Sequence, residues 1–361
     1  MANCKQCSPI EVLQWMKDND SWWTRQVPAE QLRREDLSNW HPLYPTESRV
    51  CIIFAKANEI RKCWQCRQIF TDALNTWAYF ETKQIDSYLQ YEWNKINIFV
   101  RWLPQTKQTI IAAFDERPSG KDRTRKMFQK PDPACLVDPF WVYTHVLTEL
   151  TQLEDSAVWA VRDEVRATEK EPMPIGRPQP EYRRLHDIAR HAIHVSETLD
   201  VAARTISGII LEHDSFMRSD LVVVDDKDIS QDIQRRLRFL ENMIASLRHR
   251  STSNEKRLVN EIQLAFNNVA QHDAGVSVEM GRAMKTDSAA MKTVSIVTLI
   301  FLPPTFVSAV FSMSFFNYST DSGWAMSDQI WIYWAFALPL TLVSVIFWYC
   351  WQNLFGLGER E

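Results

Sequence analysis

The chain has 361 residues, 45 acidic against 41 basic side chains and a formal net charge of −4. A balance this close to neutral, with no basic stripe interleaved with aromatics, sets aside a nucleic-acid binder. Seven cysteines, one of them (Cys350) in an apolar C-terminal segment, set aside a disulfide scaffold, and eight glycines without a nucleophile elbow, P-loop or dinucleotide fingerprint give no ground for an enzyme.

Residues 1–10 hold no apolar core, so no cleaved secretory leader is expected and targeting falls to the C-terminal apolar segments. Two C-x-x-C pairs, Cys4/Cys7 and Cys63/Cys66, would supply four thiolates for structural zinc. Their wide separation and the helical reading of 58–80 favour ordinary thiols instead. The runs 50–55 (VCIIFA), 97–103 (NIFVRWL) and 109–114 (TIIAAF) are apolar and β-branched enough for strands, with Pro104 and Pro118-Ser119-Gly120 as breakers. Residues 1–137 are therefore expected to form an N-terminal α/β domain.

From Asp138 the pattern turns helical, with Val142, Val146, Leu150, Leu153, Ala157, Val161 and Val165 at helical spacing and Asp138-Pro139 as the start. Four prolines in 171–180 break this helical region, 138–252, into parts. Helices are predicted over 181–218 and 228–250, joined by a turn carrying Asp220, Asp225, Asp226 and Asp228. A third element, the stalk 253–292, meets no proline from 255 to 302 and can run unbroken into an apolar segment. Ile262, Val269, Val276, Ala283, Ala290 and Val297 repeat every seven residues along it, a stripe suited to neighbouring copies of the helix. The companion seam of Leu258, Ala265, His272, Glu279 and Thr286 turns polar, which predicts a wet central stalk in a ring of subunits.

Two segments without lysine or arginine, 293–314 and 330–351, are each long enough to cross a bilayer as a helix. Between them the loop 315–329 holds Asp321 and Asp328, whereas Arg282, Lys285 and Lys292 crowd the approach to the first span. The positive-inside tendency then puts the loop outside and both termini, with the tail 352–361, in the cytoplasm of a multi-pass integral membrane protein. On the first span Ser288, Met291, Ser295, Thr298, Leu302, Thr305, Ser308 and Ser312 recur at three or four, a small hydroxyl-rich stripe that either packs on helices or lines water. Met291, Val294, Leu302 and Met313 would constrict such a pore, and Pro303-Pro304 frees backbone carbonyls inside it.

The runs Met291-Lys292-Thr293, Phe301-Leu302-Pro303-Pro304-Thr305-Phe306 and Phe311-Ser312-Met313-Ser314-Phe315, followed by a short loop and a last span, resemble the CorA metal ion transporter family in its divergent fungal branch. Asp155-Ser156-Ala157-Val158-Trp159 with Arg162-Asp163, and His191-Ala192-Ile193-His194 with Ser196-Glu197-Thr198-Leu199, resemble the same branch, so the likeness covers 138–351. It implies a funnel-shaped homopentamer with an α/β cytoplasmic domain, a helical stalk continuing as the pore-lining span, and an outer second span. It also implies Mg²⁺ transport, sometimes of Co²⁺ or Ni²⁺, with divalent cations as cargo or regulators and no other cofactor. The family's Gly-Met-Asn at the outer end of the pore is replaced by Ser312, Met313 and Ser314, a selectivity entrance of hydroxyls in place of an amide ring. Its lysine-rich tail is replaced by Gln352, Asn353 and Arg360. Regulatory Mg²⁺ would fall to Asp163, Glu164, Asp225, Asp226 and Asp228, while Asp187, His191 and His194 share a helix face that could take a softer divalent ion. The rival expectation is a non-conducting membrane scaffold or sensor that retains the fold.

Overall fold

The computed structural model describes residues 10–16, 21–27, 48–55, 74–86, 89–114, 118–172, 177–221, 226–310, 316–320 and 323–355. The chain divides into two compact units, Met1–Asn268 and Val269–Glu361.

The first unit is built on six strands: β1 (Ile10–Met16), β2 (Ser21–Val27), β3 (Ser48–Ala55), β4 (Leu74–Ile85), β5 (Tyr91–Leu103) and β6 (Gln108–Phe114). They form one mixed sheet in the order β2-β1-β3-β6-β5-β4, with only the β3–β6 pair parallel. The central strands β3 and β6 are buried along almost their whole length, which is why they read as unbroken apolar runs. On β5 burial alternates, with Ile96, Ile98, Val100 and Trp102 inward, because that strand has one covered face.

Helix α1 (Pro118–Met127) is followed by α2 (Trp141–Glu169), α3 (Tyr182–Met217) and α4 (Lys227–Val310). The inward faces of α2 and α3 join Ile52, Phe80, Ile98 and Trp102 of the sheet in the larger core, with Ile233, Leu237, Leu240, Ile244 and Leu247 from the start of α4. Ile10, Val12, Cys51, Ile53, Ile110 and Phe114 make a smaller core on the opposite face of the sheet. Each fully buried aliphatic side chain contributes about 1.5–3 kcal/mol.

Several elements differ from the sequence reading. Residues 74–80 are strand, not helix: Thr76, Ala78 and Phe80 are buried while Trp77 and Tyr79 are exposed, a period of two fixed by pairing with β5. The remainder of the expected 58–80 helix, with Cys63 and Cys66, lies outside the described residues, as do Cys4 and Cys7. Pro118, expected as a breaker, opens α1, since a first helical turn needs no N–H there. Helix α2 begins at Trp141, because the Asp138 Oδ1 accepts the Phe140 N–H at 2.9 Å ahead of it. The break expected near 250–253 is absent and α4 is one helix of 84 residues. Ser251 and Asn254 are buried, and Thr252 donates to the Arg248 carbonyl, so this polar stretch finds partners without leaving the helix.

In the second unit α4 ends, the expected loop carries a short hairpin of β7 (Phe316–Ser319) and β8 (Gly323–Met326), and α5 (Ile330–Phe355) closes the described chain.

Candidate functional site

The second unit inverts the usual placement of side chains. Among the described residues two helices are long and apolar enough to cross a membrane, α4 in its C-terminal part and α5, and only 11% and 6% of their most apolar windows are buried. Pro303 and Val307 on α4 and Ala337 on α5 are buried. The Tyr333 hydroxyl donates to the Pro304 carbonyl at 3.4 Å, which sets these faces against each other. Met291, Val294, Phe301, Leu302, Phe306 and many α5 side chains are exposed. Apolar surface on this scale calls for lipid or neighbouring helices.

Of the expected pore residues, Ser288, Met291, Val294, Ser295, Thr298, Leu302 and Thr305 all lie on exposed positions of α4. Ser308 does not share their exposure: it is half-buried beside buried Val307, while Ala309 is exposed. Two successive steps of three, 302 to 305 to 308, each fall about 60° short of a turn and carry Ser308 off the stripe. Ser312, Met313 and Ser314 lie outside the described residues.

The hydroxyls of the stripe are oriented. Ser295 donates to the Met291 carbonyl and Thr298 to the Val294 carbonyl, each at 2.8 Å, and Thr305 donates to Phe301 and Leu302 at 3.0 and 2.9 Å. With the protons turned to the backbone, the outward part of each oxygen is an acceptor. Pro303 and Pro304 remove two N–H donors from the helix. The carbonyls that lose these donors are those of Leu299 and Ile300, four residues earlier; the Thr305 and Tyr333 hydroxyls bond the neighbouring carbonyls of Phe301, Leu302 and Pro304.

The candidate carboxylates are scattered through the first unit. Asp163 pairs with Arg162 at 3.0 Å, Glu164 with Arg184 at 3.5 Å, and Asp226 with Lys107 at 2.8 Å, while Asp228 sits exposed in the first turn of α4. Asp225 lies outside the described residues. Within one chain, no three His, Cys, Asp or Glu among the described residues converge to hold a metal ion.

Asp187, His191 and His194, the helix face that could take a softer divalent ion, have protein partners in the structure. Asp187 pairs with Arg190 at 2.7 Å, and the His194 Nδ1 lies 2.7 Å from the Nζ of buried Lys83. Lys83 also stands over the Tyr91 ring at 4.2 Å, and His191 and His194 pack on Tyr91 and Trp93. Burial first, then the Lys83 charge, holds both imidazoles below their ordinary pKa, so His194 is a neutral acceptor for the ammonium. Residues 81–96 carry no element in the sequence reading, so nothing in the pattern placed Lys83 here.

A second polar group unforeseen in the sequence anchors the start of α4. Asp138 and His213, both fully buried, meet at 2.7 Å, the other ring nitrogen of His213 bonds the Gln234 side-chain oxygen, and Gln234 donates to Asp214 at 2.6 Å. Burial alone would lower the His213 pKa, but Asp138, then Gln234 and Asp214, raise it above the ordinary value. With an acceptor on each nitrogen, the imidazolium ties α2, α3 and α4 together.

The family described as "CorA-like Mg²⁺ transporter protein" matches residues 89–352, from the turn before β5 to the end of the second apolar helix. The chain belongs to the CorA-like Mg²⁺ transporter family. It is also similar to "Notoamide biosynthesis cluster protein M′" of Aspergillus versicolor, with 32% identity over 294 residues, 75% of this chain. The chain spans 62% of the length of that relative. Among solved structures, full-length CmaX is similar at 14% identity with a TM-score of 0.41, covering 98% of this chain and 99% of that one. The soluble domain of CorA from Methanocaldococcus jannaschii is similar at 10% identity with a TM-score of 0.39, covering 71% and 99%. The CorA-like match takes in α4, α5 and the hairpin between them, and it leaves β1 to β4 outside.

Proposed function

We propose that this CorA-like protein is a divalent-cation channel or transporter in which copies of α4 surround an aqueous path and α5 faces lipid. The observation that carries this reading is the exposed stripe of Ser295, Thr298 and Thr305, whose hydroxyl protons are turned to the backbone. Acceptor oxygens suit a hydrated cation, and Mg²⁺ in particular sheds its water reluctantly. The assembly is a homopentamer with both termini in the cytoplasm, the cargo is Mg²⁺ with Co²⁺ or Ni²⁺ as alternatives, and regulatory Mg²⁺ bridges carboxylates of adjacent subunits. The membrane potential is the driving force, at about 2.3 kcal/mol per charge per 100 mV.

Purified protein in liposomes, under an inside-negative potential, is expected to give saturable Mg²⁺ flux that empty liposomes lack. Ser314→Asn is expected to raise that flux by restoring an amide oxygen at the outer ring. An intact oligomer that passes none of the three ions, with or without that substitution, would make the protein a scaffold or sensor instead.

A further inference from the structure

Between α2 and α4, wholly within the first unit, lies a cavity of about 150 Å³ lined by Trp159, Arg162, Arg250, Ser253, Asn254, Arg257 and the Val158 backbone. No carboxylate lines it. Arg162 lies over the Trp159 ring at 4.7 Å and Arg250 over the same ring at 5.6 Å, so one indole holds two guanidinium groups. The indole is itself fixed, because its N–H donates to Asp155 at 3.0 Å. Asn254 is buried and donates to the Val158 carbonyl at 3.3 Å, which forms the floor between the two helices.

The surrounding acids are unevenly distributed. Glu169 takes Arg257 in a bidentate pair at 2.7 and 2.6 Å, and Asp163, 67% exposed, takes Arg162 from the water side. Arg250 has no carboxylate partner among the described ion pairs; its recorded contact is the indole. Arg257 first, then Arg166 and Arg162, hold the Glu169 carboxyl below the usual range, which marks the field here as positive. Guanidinium forks match the oxygens of a tetrahedral anion, and an anion relieves the repulsion of two cations on one ring.

We infer that Arg162, Arg250 and Arg257, with Trp159 as a platform, bind the phosphate group of a phosphate monoester and thereby bridge α2 to α4. The site does not depend on the transport reading, since it is argued from the first unit alone. Its consequence for that reading is that occupancy stiffens the seating of the helix that carries the hydroxyl stripe.

The test is calorimetric titration of the full-length protein in detergent with glycerol 3-phosphate and with short-chain phosphatidic acid, at constant ionic strength. Saturable binding of either is expected, with inorganic phosphate competing and chloride not. Arg250→Gln is expected to weaken it at least tenfold, and Arg250→Lys, which keeps charge without the fork, by an intermediate factor. The unliganded melting temperature should move little, because Arg250 makes no ion pair and gives up only its contact with the indole. Equal binding of the two esters identifies a soluble ligand; tenfold preference for the lipid identifies a headgroup. Absence of saturable binding, or binding that Arg250→Gln leaves intact, overturns the site.

Discussion

The two units handle apolar side chains in opposite ways. In Met1–Asn268 the large residues Trp15, Trp102, Trp141 and Phe140 are almost wholly buried, whereas in Val269–Glu361 Trp331, Phe301, Phe306 and Phe347 are exposed and a proline, a valine and an alanine take the inside. The same hydrophobic effect cannot stabilise both arrangements in water. The second unit makes sense in lipid, where helices associate through small residues and polar contacts such as Tyr333 to Pro304.

The contrast is broken most severely where the first unit buries charge. Asp138→Ala leaves the His213 imidazolium without its counter-ion, and a loss of about 3–5 kcal/mol is expected in denaturant unfolding followed by tryptophan fluorescence. Loss of less than 1 kcal/mol would mean that the ion pair is not formed. Deleting apolar volume should separate the units next: Leu147→Ala in the α2 core is expected to cost about 2–5 kcal/mol. Leu302→Ala on the exposed stripe should leave the unfolding of the first unit unchanged.

Glu154 sharpens the comparison through pH. It is fully buried, its Oε1 has no hydrogen-bond partner among the described residues, and burial pushes its pKa from 4.5 up to about 8. Between those values the folded chain holds a proton that the unfolded chain has released, so stability falls as pH rises through the window, at no more than about 1.4 kcal/mol per pH unit. Glu154→Gln should flatten that slope and be the more stable form at pH 8.5. An unchanged slope would remove Glu154 as its source. His213 works in the same direction: its contribution is complete below pH 6.5 and is lost as pH rises through its elevated value.

The smallest expected effects lie on the first span. On the proposed transport role, Thr298→Val removes an acceptor from the stripe and should lower divalent-cation flux severalfold. Ser308→Ala, half-buried beside Val307, should leave flux unchanged and change stability by no more than about 0.5 kcal/mol. Reversal of that order would place Ser308, not Thr298, on the ion path.

What was legible in the sequence follows the strength of local periodicity. Strands β3, β5 and β6 announced themselves through β-branched runs, and α2 and α3 through apolar residues at helical spacing. β1 hid because it is buried on both faces, so its sequence IEVLQWM shows no alternation. β4 was mistaken for helix because LNTWAYF carries its period of two in Thr, Ala and Phe on one side and in Trp and Tyr on the other, all of moderate hydrophobicity. The half-burial of Ser308 was not legible, since residue spacing alone does not show which positions of α4 pack on α5.

The sequence by itself determined that two apolar segments, 293–314 and 330–351, carry no lysine or arginine, that a long proline-free stretch leads into the first of them, and that the chain's motifs are CorA-like. Those properties are local: they depend on composition and on repeats within a few turns. Only the tertiary structure decided that Lys83 sits against His194, that Asp138 and His213 close on each other across 75 positions, and that Arg162 meets Arg250 over one indole. Each joins residues from separate elements, and such contacts are set by how the sheet and helices pack, for which charge and spacing along the chain leave no trace.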